Sequence, residues 1–553
     1  MLERSSKLVS FDEAVARIPD GATIAVGGLS YYGAPMELIR ALVRRRPRSL
    51  TLVTAAVTGI QADMLIAAGC VQKIISPYVA FEEFGLAPNF RRAVESGCIE
   101  LLEIGEAFLA FGLKAAASGV PFYVLPSTLA ASDCARVNGL YKRAADPFTG
   151  REVICVPAIP VDFTLLHVRR ADQFGNLQHE GTSFMDSLLA RASRRVLASC
   201  DDLLDDGELR RNSGATTIPS ILVQGIVHAH GAAWPTASFG CYDVDRSEIK
   251  RYAKANRNEA SVNAFLDPVT LARSTALPPV AARDDQPAAP ARDALPPSKA
   301  EIIATEISRC VEDGMFTGAG TGCWEVLAGL RLAQLTRTPN LSFTMGGSGA
   351  LNPRLHFLPA SLNGDEALNA CEARVGLDDL FDLELAGAFD IMFASGMQID
   401  QYGNLNLACI GPHEKPVLRG PGTVGLEFTP QVRQWVAFFR SHNQQVFVEK
   451  VDFISGIGYG AGPRSREQFG ISDDRGPKCV ITDLCVLDFC PETKRMRLKS
   501  VHPGATVERV RESTGFELVI RGDIPQTALP TQTELSLLRN EIDRGGLLTT
   551  LIA

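Results

Sequence analysis

Missing from this 553-residue sequence are any stretch apolar for the length of a bilayer, any C-x-x-C pair and, apart from "VRRRPR" at 43–48, any dense run of Lys or Arg. Each absence removes a class of function. Without an apolar run of about 20 residues no membrane-spanning helix is expected. The opening "MLERSSKLVSFDEAVARI" scatters its charges among apolar residues instead of placing a basic segment before an apolar one, so a cytoplasmic, leaderless protein with no membrane partner is expected. The 13 cysteines are dispersed and no His/Cys cluster has zinc-ligand spacing, so neither a disulfide framework nor a bound metal is expected, and the thiols read as free core residues. His228 and His230 in "VHAH" read as one face of a strand without a nearby third ligand, a structural pair. "VRRRPR" reads as a solvated helix end, and with a net charge of −8 nucleic acid is not an expected partner.

What is present is the composition of a soluble globular protein in a chain too long for one ordinary core. One turn is written twice: "DQFGNL" at 172–177 and "DQYGNL" at 400–405. Alone it is a good tight turn, in which Gly and Asn supply positive φ and Asp bonds the backbone. Around it a larger order repeats. A helix pattern ending in Asp-Gly runs into a short Gly-punctuated strand at 11–28 and again at 304–322. A second helix follows ("PMELIRALVRR", "WEVLAGLRLAQL"), then a buried-type strand closing in small residues ("RSLTLVTAAVTG", "PNLSFTMGGSG"). Between the copies, Pro, Ala and isolated charges replace all periodicity. The expected organisation is a first domain at 1–266, a linker at 267–300 and a second domain at 301–553. The turn lies farther from the opening Asp-Gly in the first copy than in the second, so the first carries extra material or the second has lost some. Strand–helix alternation with Gly-rich strand ends predicts an α/β fold: two related, open, mainly parallel sheets fused in tandem, with ligands beyond the carboxyl ends of the strands.

This order of motifs resembles the class I coenzyme A transferases, in particular the glutaconate CoA-transferase branch, with α and β subunits fused. The residues that carry the likeness are "GGLSYYGAP" (27–35) and "PNFRRAVESGCIELLE" (88–103) in the first half. In the second they are "QIDQYGNLNL" (398–407), "VFVEKVDFISGIGYGAGP" (446–463) and "KRMRLKSVHPGATVERVRESTGFEL" (494–518). The resemblance implies an acyl-CoA substrate, no cofactor beyond the coenzyme A that the substrate carries, and a fold that allows a homodimer or higher homo-oligomer. It also implies a carboxylate nucleophile at the end of the second strand of the β-like half, which would form an enzyme thioester. That position falls on Met345, whose thioether has no oxygen to acylate, and neither Glu325 nor Glu366 replaces it without moving the backbone.

Two other positions are similar to a steroid-catabolic branch of the superfamily, which hydrolyses a carbon–carbon bond in a ring bearing a CoA thioester. Its pattern of a Glu just before a helix falls on Glu106 in "EIGEAFLAF", and its Arg before a Pro-Gly turn falls on Arg419 in "VLRGPGTVG". The structural alternatives are a first-turn charge for Glu106 and a surface charge for Arg419. The expectation is a hydrolase in which Glu106 is general base on water and Arg419 stabilises the developing negative charge. The alternatives are a CoA-transferase whose nucleophile lies elsewhere around "FTMGGSG", and a non-catalytic acyl-CoA-binding protein. Gly27, Gly28, Gly320, Gly346, Gly347, Gly420 and Gly422 are the candidates for close backbone approach to the substrate or its CoA. His413 and His502 are left out of the chemistry.

Overall fold

The computed structural model describes residues 4–256, 277–280, 292 and 294–552. Most of the expected linker, and the boundary at 266, lie outside the described residues. Where the chain resumes, Ser298 caps a helix over Lys299–Ser308. Both halves open on the same device, an S-x-x-E capping box: Ser10 with Glu13 before Phe11–Ala16, and Ser298 with Glu301. In each, the cap hydroxyl accepts the third N–H and the Glu returns to the cap's own N–H, which satisfies two orphan donors at once.

Seven parallel strands form the first sheet, in the order Glu100–Glu103, Val71–Ser76, Leu50–Thr54, Thr23–Val26, Val161–Asp172, Ser193–Leu204 and Val223–His228. Short antiparallel strands at Leu177–Gln178 and Thr216–Ile218 extend it. The central strand "TIAV" is buried over Ile24–Val26, as expected of a parallel strand covered on both faces. In the second half Phe316–Ala319 runs parallel to Ser342–Met345, and Ile391–Ala394, Gln434–Phe438 and Gly476–Ile481 run parallel to one another, with antiparallel strands appended to each set. The Asp390 N–H donates to the Phe316 carbonyl (2.9 Å) and the Thr317 hydroxyl to the Ile391 carbonyl (2.6 Å), so the two sets meet edge to edge.

The unequal spacing of the halves has a structural cause. Between its second strand and the long Val161–Asp172 strand, the first half inserts Val71–Ser76, Glu100–Glu103 and a three-stranded antiparallel sheet (Phe122–Pro126, Lys142–Ala145, Glu152–Pro157). The second half has only two short antiparallel strands and two helices there. Backbone hydrogen bonds stitch the halves together: Val79 N–H to the Pro421 carbonyl (2.9 Å), Val424 N–H to the Pro77 carbonyl (3.0 Å) and Asp133 N–H to the Ile454 carbonyl (2.8 Å). One apolar cluster, from Ile24 and Leu52 to Phe428 and Trp435, runs through both.

Candidate active site

A cavity of about 520 Å³ opens beyond the carboxyl ends of the second-half strands, where Gly318–Gly320, Thr344, Ala394 and Phe438–Ser441 line it. Leu377, Leu380, Phe381 and Phe389 make much of the wall apolar, and the first half closes it with Val57, Tyr78 and Glu106. The site is therefore built by both halves.

Glu106 is the first residue of the helix Glu106–Ser118, whose N-cap, Gly105, has no side chain to offer. The cap comes from the other half. Glu427, on a 3₁₀ turn over Val424–Phe428, accepts the Ala107 N–H at Oε1 (2.5 Å), and the Tyr141 hydroxyl donates to its Oε2 (3.3 Å). A Cβ at position 105 would strike that carboxyl group, so only glycine lets it approach. Glu427 thus takes the helix-terminal N–H groups that would otherwise favour ionised Glu106. Burial lifts the Glu106 carboxyl well above its ordinary range, and the charges of Glu384 and Glu427 add to the effect. Burial against the cavity wall, then the charge of Glu427, brings Glu384 to about 8. Burial brings Glu427 to about 7, held back by the N–H groups of Ala107 and Phe108. Three carboxyl groups that cannot all ionise at neutral pH therefore share this region.

Met345 is fully buried, in register with Ala319 on one side and Ala350 on the other, and it does not line the cavity, although its neighbours Thr344 and Gly346 do. Glu325 and Glu366 are not on the wall either. Glu325 is bound to Arg440 by two contacts (2.6 and 2.8 Å), and Arg440, which also donates to the Gly322 carbonyl (2.8 Å), is the arginine that lines the cavity.

Arg419 lies elsewhere. It is buried at 2 % exposure, outside the cavity lining, with its guanidinium on Glu103 (Nη1–Oε2 2.5 Å, Nη2–Oε1 3.2 Å) and over the ring of Phe90. Burial would raise the Glu103 carboxyl, but Arg419 and His413 more than offset this and hold it at about 2. A guanidinium committed in this way stands outside the lining of this cavity, so the structure does not bring Arg419 to the wall that carries Glu106.

The glycines divide similarly. Gly320, Gly346 and Gly347 line the cavity. Gly27 and Gly28 do not: the Gly28 N–H donates to Asp186 (2.9 Å), and a Cβ on Gly27 would strike the same carboxylate. Gly420 and Gly422 spend their N–H groups on the carbonyls of Ala408 and Leu407. Their lack of a side chain lets the loop pass close to Leu407 and Pro77 and present Pro421 to the cavity. Glu384, Glu427 and Arg440 were not read from the sequence. Glu384 and Glu427 act on Glu106, and Arg440 shares its cavity, only through the packing of one half on the other, and no local pattern marks them.

The model of the family described as "Coenzyme A transferase" matches twice, at residues 8–229 and 301–513. The chain is similar to both polypeptides of the 3-oxoadipate CoA-transferase of Pseudomonas knackmussii. It is 30% identical to one of them over 240 residues (43% of this chain, 91% of that one) and 30% identical to the other over 266 (47% and 93%). It is 28% identical over 281 residues to the IpdA subunit of the cholesterol ring-cleaving hydrolase of Rhodococcus jostii (48% of this chain, 92% of that one). It is 30% identical over 251 residues to one polypeptide of the glutaconate CoA-transferase of Acidaminococcus fermentans (44% and 92%). It spans 59% of an uncharacterized Archaeoglobus fulgidus protein, to which it is 32% identical over 269 residues (48% of this chain). The acyl-CoA transferase YdiF of Escherichia coli O157:H7 shares its fold over 98% of this chain and 97% of that one, with a TM-score of 0.70 at 16% identity.

Proposed function

We propose that this chain, a member of the coenzyme A transferase family, acts on an acyl-CoA and hydrolyses a carbon–carbon bond in a cyclic, β-diketone-like CoA thioester. The observation that carries this reading is Glu106 on the wall of an apolar cavity; the buried Met345, at the position where the resemblance expects a nucleophilic carboxylate, supports it. In its ionised form Glu106 takes a proton from water, and the oxygen attacks a ring ketone. The ring bond then breaks, its electron pair passing to the carbon between the carbonyls as an enolate. The proton held by Glu106 goes to that carbon, so one water is consumed and the product is a single ring-opened chain that carries both a carboxylic acid and a ketone. A raised pKa suits both steps, since the group must accept a proton and return it near neutrality. The Gly346 N–H is spent on the Ala319 carbonyl (2.7 Å), so at this strand end the Gly347 N–H is the backbone amide at the wall for the oxyanion. Arg419 acts as a positioning residue, fixing the loop that carries Pro421 and Val424 into the lining.

Glu384 favours a second reading, CoA transfer between carboxylic acids, because it is another carboxylate on the same wall. Intact-mass measurement after incubation with cyclic and linear acyl-CoAs and borohydride, with acetate offered as acceptor in parallel, separates the two. Hydrolysis predicts an unmodified protein, addition of water to the cyclic substrate and loss of turnover in Glu106→Gln. A glutamate reduced to its alcohol, with CoA appearing on acetate, overturns it. Mapping that mass change to Glu384 would establish the transferase.

A further inference from the structure

The two histidines of "VHAH" do not act as a pair. His228 ends the strand Val223–His228 at the surface, and His230 lies in the loop that follows. There His230 meets two residues that the sequence keeps apart from it, Asp201 on the adjacent strand Ser193–Leu204 and Cys241 on the returning loop. Its Nδ1 is 3.8 Å from Cys241 Sγ and 3.9 Å from Asp201 Oδ1, and the three ligand atoms lie within 4.8 Å of one another. We propose that Asp201, His230 and Cys241 bind a divalent transition-metal ion of the zinc class, which ties the loop after the strand Val223–His228 to the first sheet.

Geometry and donor chemistry support the site. Bonds of about 2.0–2.3 Å around a tetrahedral zinc place ligand atoms roughly 3.3–3.8 Å apart, so two of the three separations are already close to what an ion requires. The remaining contraction is between Asp201 and Cys241 and falls to the half-buried Cys241 side chain on its loop, while the His230 side chain, 61% exposed, can follow it. One sulfur, one imidazole nitrogen and one carboxylate oxygen form a donor set that zinc accepts, with water completing the tetrahedron.

Asp201 is oriented as a ligand would be. Its Oδ1 accepts the Gly231 N–H (2.8 Å), while Oδ2 is held by the Ser238 hydroxyl (2.5 Å) and by His167 Nε2 (3.0 Å). His167 is itself fixed through Nδ1 by Ser199 (3.0 Å). Such outer hydrogen bonds fix a metal-binding carboxylate in place. Cys241 is held by its own N–H on the Ser238 carbonyl (3.0 Å). Arg169, the cation that also faces this thiol, is ion-paired with Asp202 (2.5 Å).

The loop is not idle. Ala237 exchanges backbone hydrogen bonds with Tyr31 (2.7 Å) and Gly33 (2.9 Å), and Phe239 stacks on Tyr32 (5.2 Å between centroids), so an ion here would brace the "GGLSYYG" segment. Forming the metal–sulfur bond releases the thiol proton to solvent, and binding weakens as pH falls.

Full-length protein stripped with a chelator would be titrated with Zn²⁺ alone and, separately, with Co²⁺. The expected result is one ion per chain and a near-ultraviolet sulfur-to-cobalt absorption. That absorption should vanish in Cys241→Ser, and affinity should fall about 100-fold in His230→Ala, whose exposed position leaves the fold unchanged. Zinc should also raise the melting temperature of the wild type and not that of either variant. No cobalt–sulfur absorption in the wild type, or an absorption that persists in Cys241→Ser and so belongs to another cysteine, overturns the proposal. Equal affinity of the wild type and His230→Ala does the same.

Discussion

Glu427 does for the helix carrying Glu106 what a serine or aspartate N-cap does within a single segment, but it does so from the other half of the chain. At the scale of single residues this makes the geometry of Glu106 sensitive to small intrusions. A Cβ on Gly425 would come within 2.7 Å of Glu106 Oε2, the far end of a flexible side chain that can move aside. Gly425→Ala should therefore fold normally and lose about 10- to 100-fold in kcat, because a displacement near 1 Å at a reacting group costs that much. Melting temperature and kcat measured side by side check this. The carboxyl trio also predicts a pH profile. Glu384 has a folded pKa raised from its ordinary 4.5 to about 8, so its contribution to stability is full below about 4.5 and is lost as pH rises through 8. Glu384→Gln should flatten the stability of the protein between pH 5 and pH 8 by on the order of 3 kcal/mol, read from denaturant midpoints across that range. An unchanged slope would show that Glu384 ionises freely in the cavity. Glu106 was legible because its place before a helix resembles a known pattern. Glu384 and Glu427 were not, because their proximity to Glu106 is a product of tertiary packing alone.

At the scale of elements, the repeated turn is a clasp. Asp172 Oδ1 accepts the N–H groups of Phe174 (3.0 Å) and Asn176 (2.8 Å), and Asp400 Oδ1 accepts those of Tyr402 (3.0 Å) and Asn404 (3.0 Å). Gly175 and Gly403 take positive φ (96° and 79°), as the sequence suggests. The asparagines do not. Each instead returns its side-chain amide to the aspartate, at 2.7 and 2.9 Å. The copies differ in what else they hold. Asn176 is half-buried and also accepts the Ser220 N–H (3.0 Å). Asn404 is buried, accepts the N–H groups of Gly458 (2.9 Å) and Gly460 (3.2 Å) and donates to the Gly460 carbonyl (2.8 Å). Asn404→Ala should cost about 3 kcal/mol and Asn176→Ala about 1 kcal/mol, since stranded buried partners carry the larger penalty. Urea denaturation of both variants measures the difference, and equal costs would mean that the second set of contacts is not held in solution. Helix, strand and turn order were readable here because local periodicity and turn chemistry set them. The inserted strands Val71–Ser76 and Glu100–Glu103 were not, since a spacing difference shows only that something was added.

At the scale of the whole molecule, Arg419 and Glu103 join the halves by a buried ion pair, and a double-mutant cycle tests what it contributes. Arg419→Met or Glu103→Gln alone should destabilise by about 3–5 kcal/mol, because each leaves a buried partner uncompensated, whereas the double variant should recover most of the loss. Glu103 has a folded pKa of about 2, so the stability the pair gives is present above the ordinary carboxylate range and fades as pH falls from about 4.5 to 2. Acid denaturation should then begin at higher pH in the wild type than in the double variant. Arg419 was found in the sequence, but its partner was not: a cation in a Gly-Pro loop reads the same whether it faces a ligand or a glutamate brought from the other half.

The helix cap that crosses between halves has a consequence for how such a protein is made. A first half without its partner would present an uncapped helix end and a Glu106 that could use the vacated N–H groups and titrate as an ordinary acid. The 3-oxoadipate CoA-transferase to which this chain is similar has two separate subunits, each matching less than half of this chain. In a single chain every Glu106 is synthesised with one Glu427 to restrain it. Synthesis itself sets the stoichiometry at one to one, and an unpartnered, differently reactive half never accumulates.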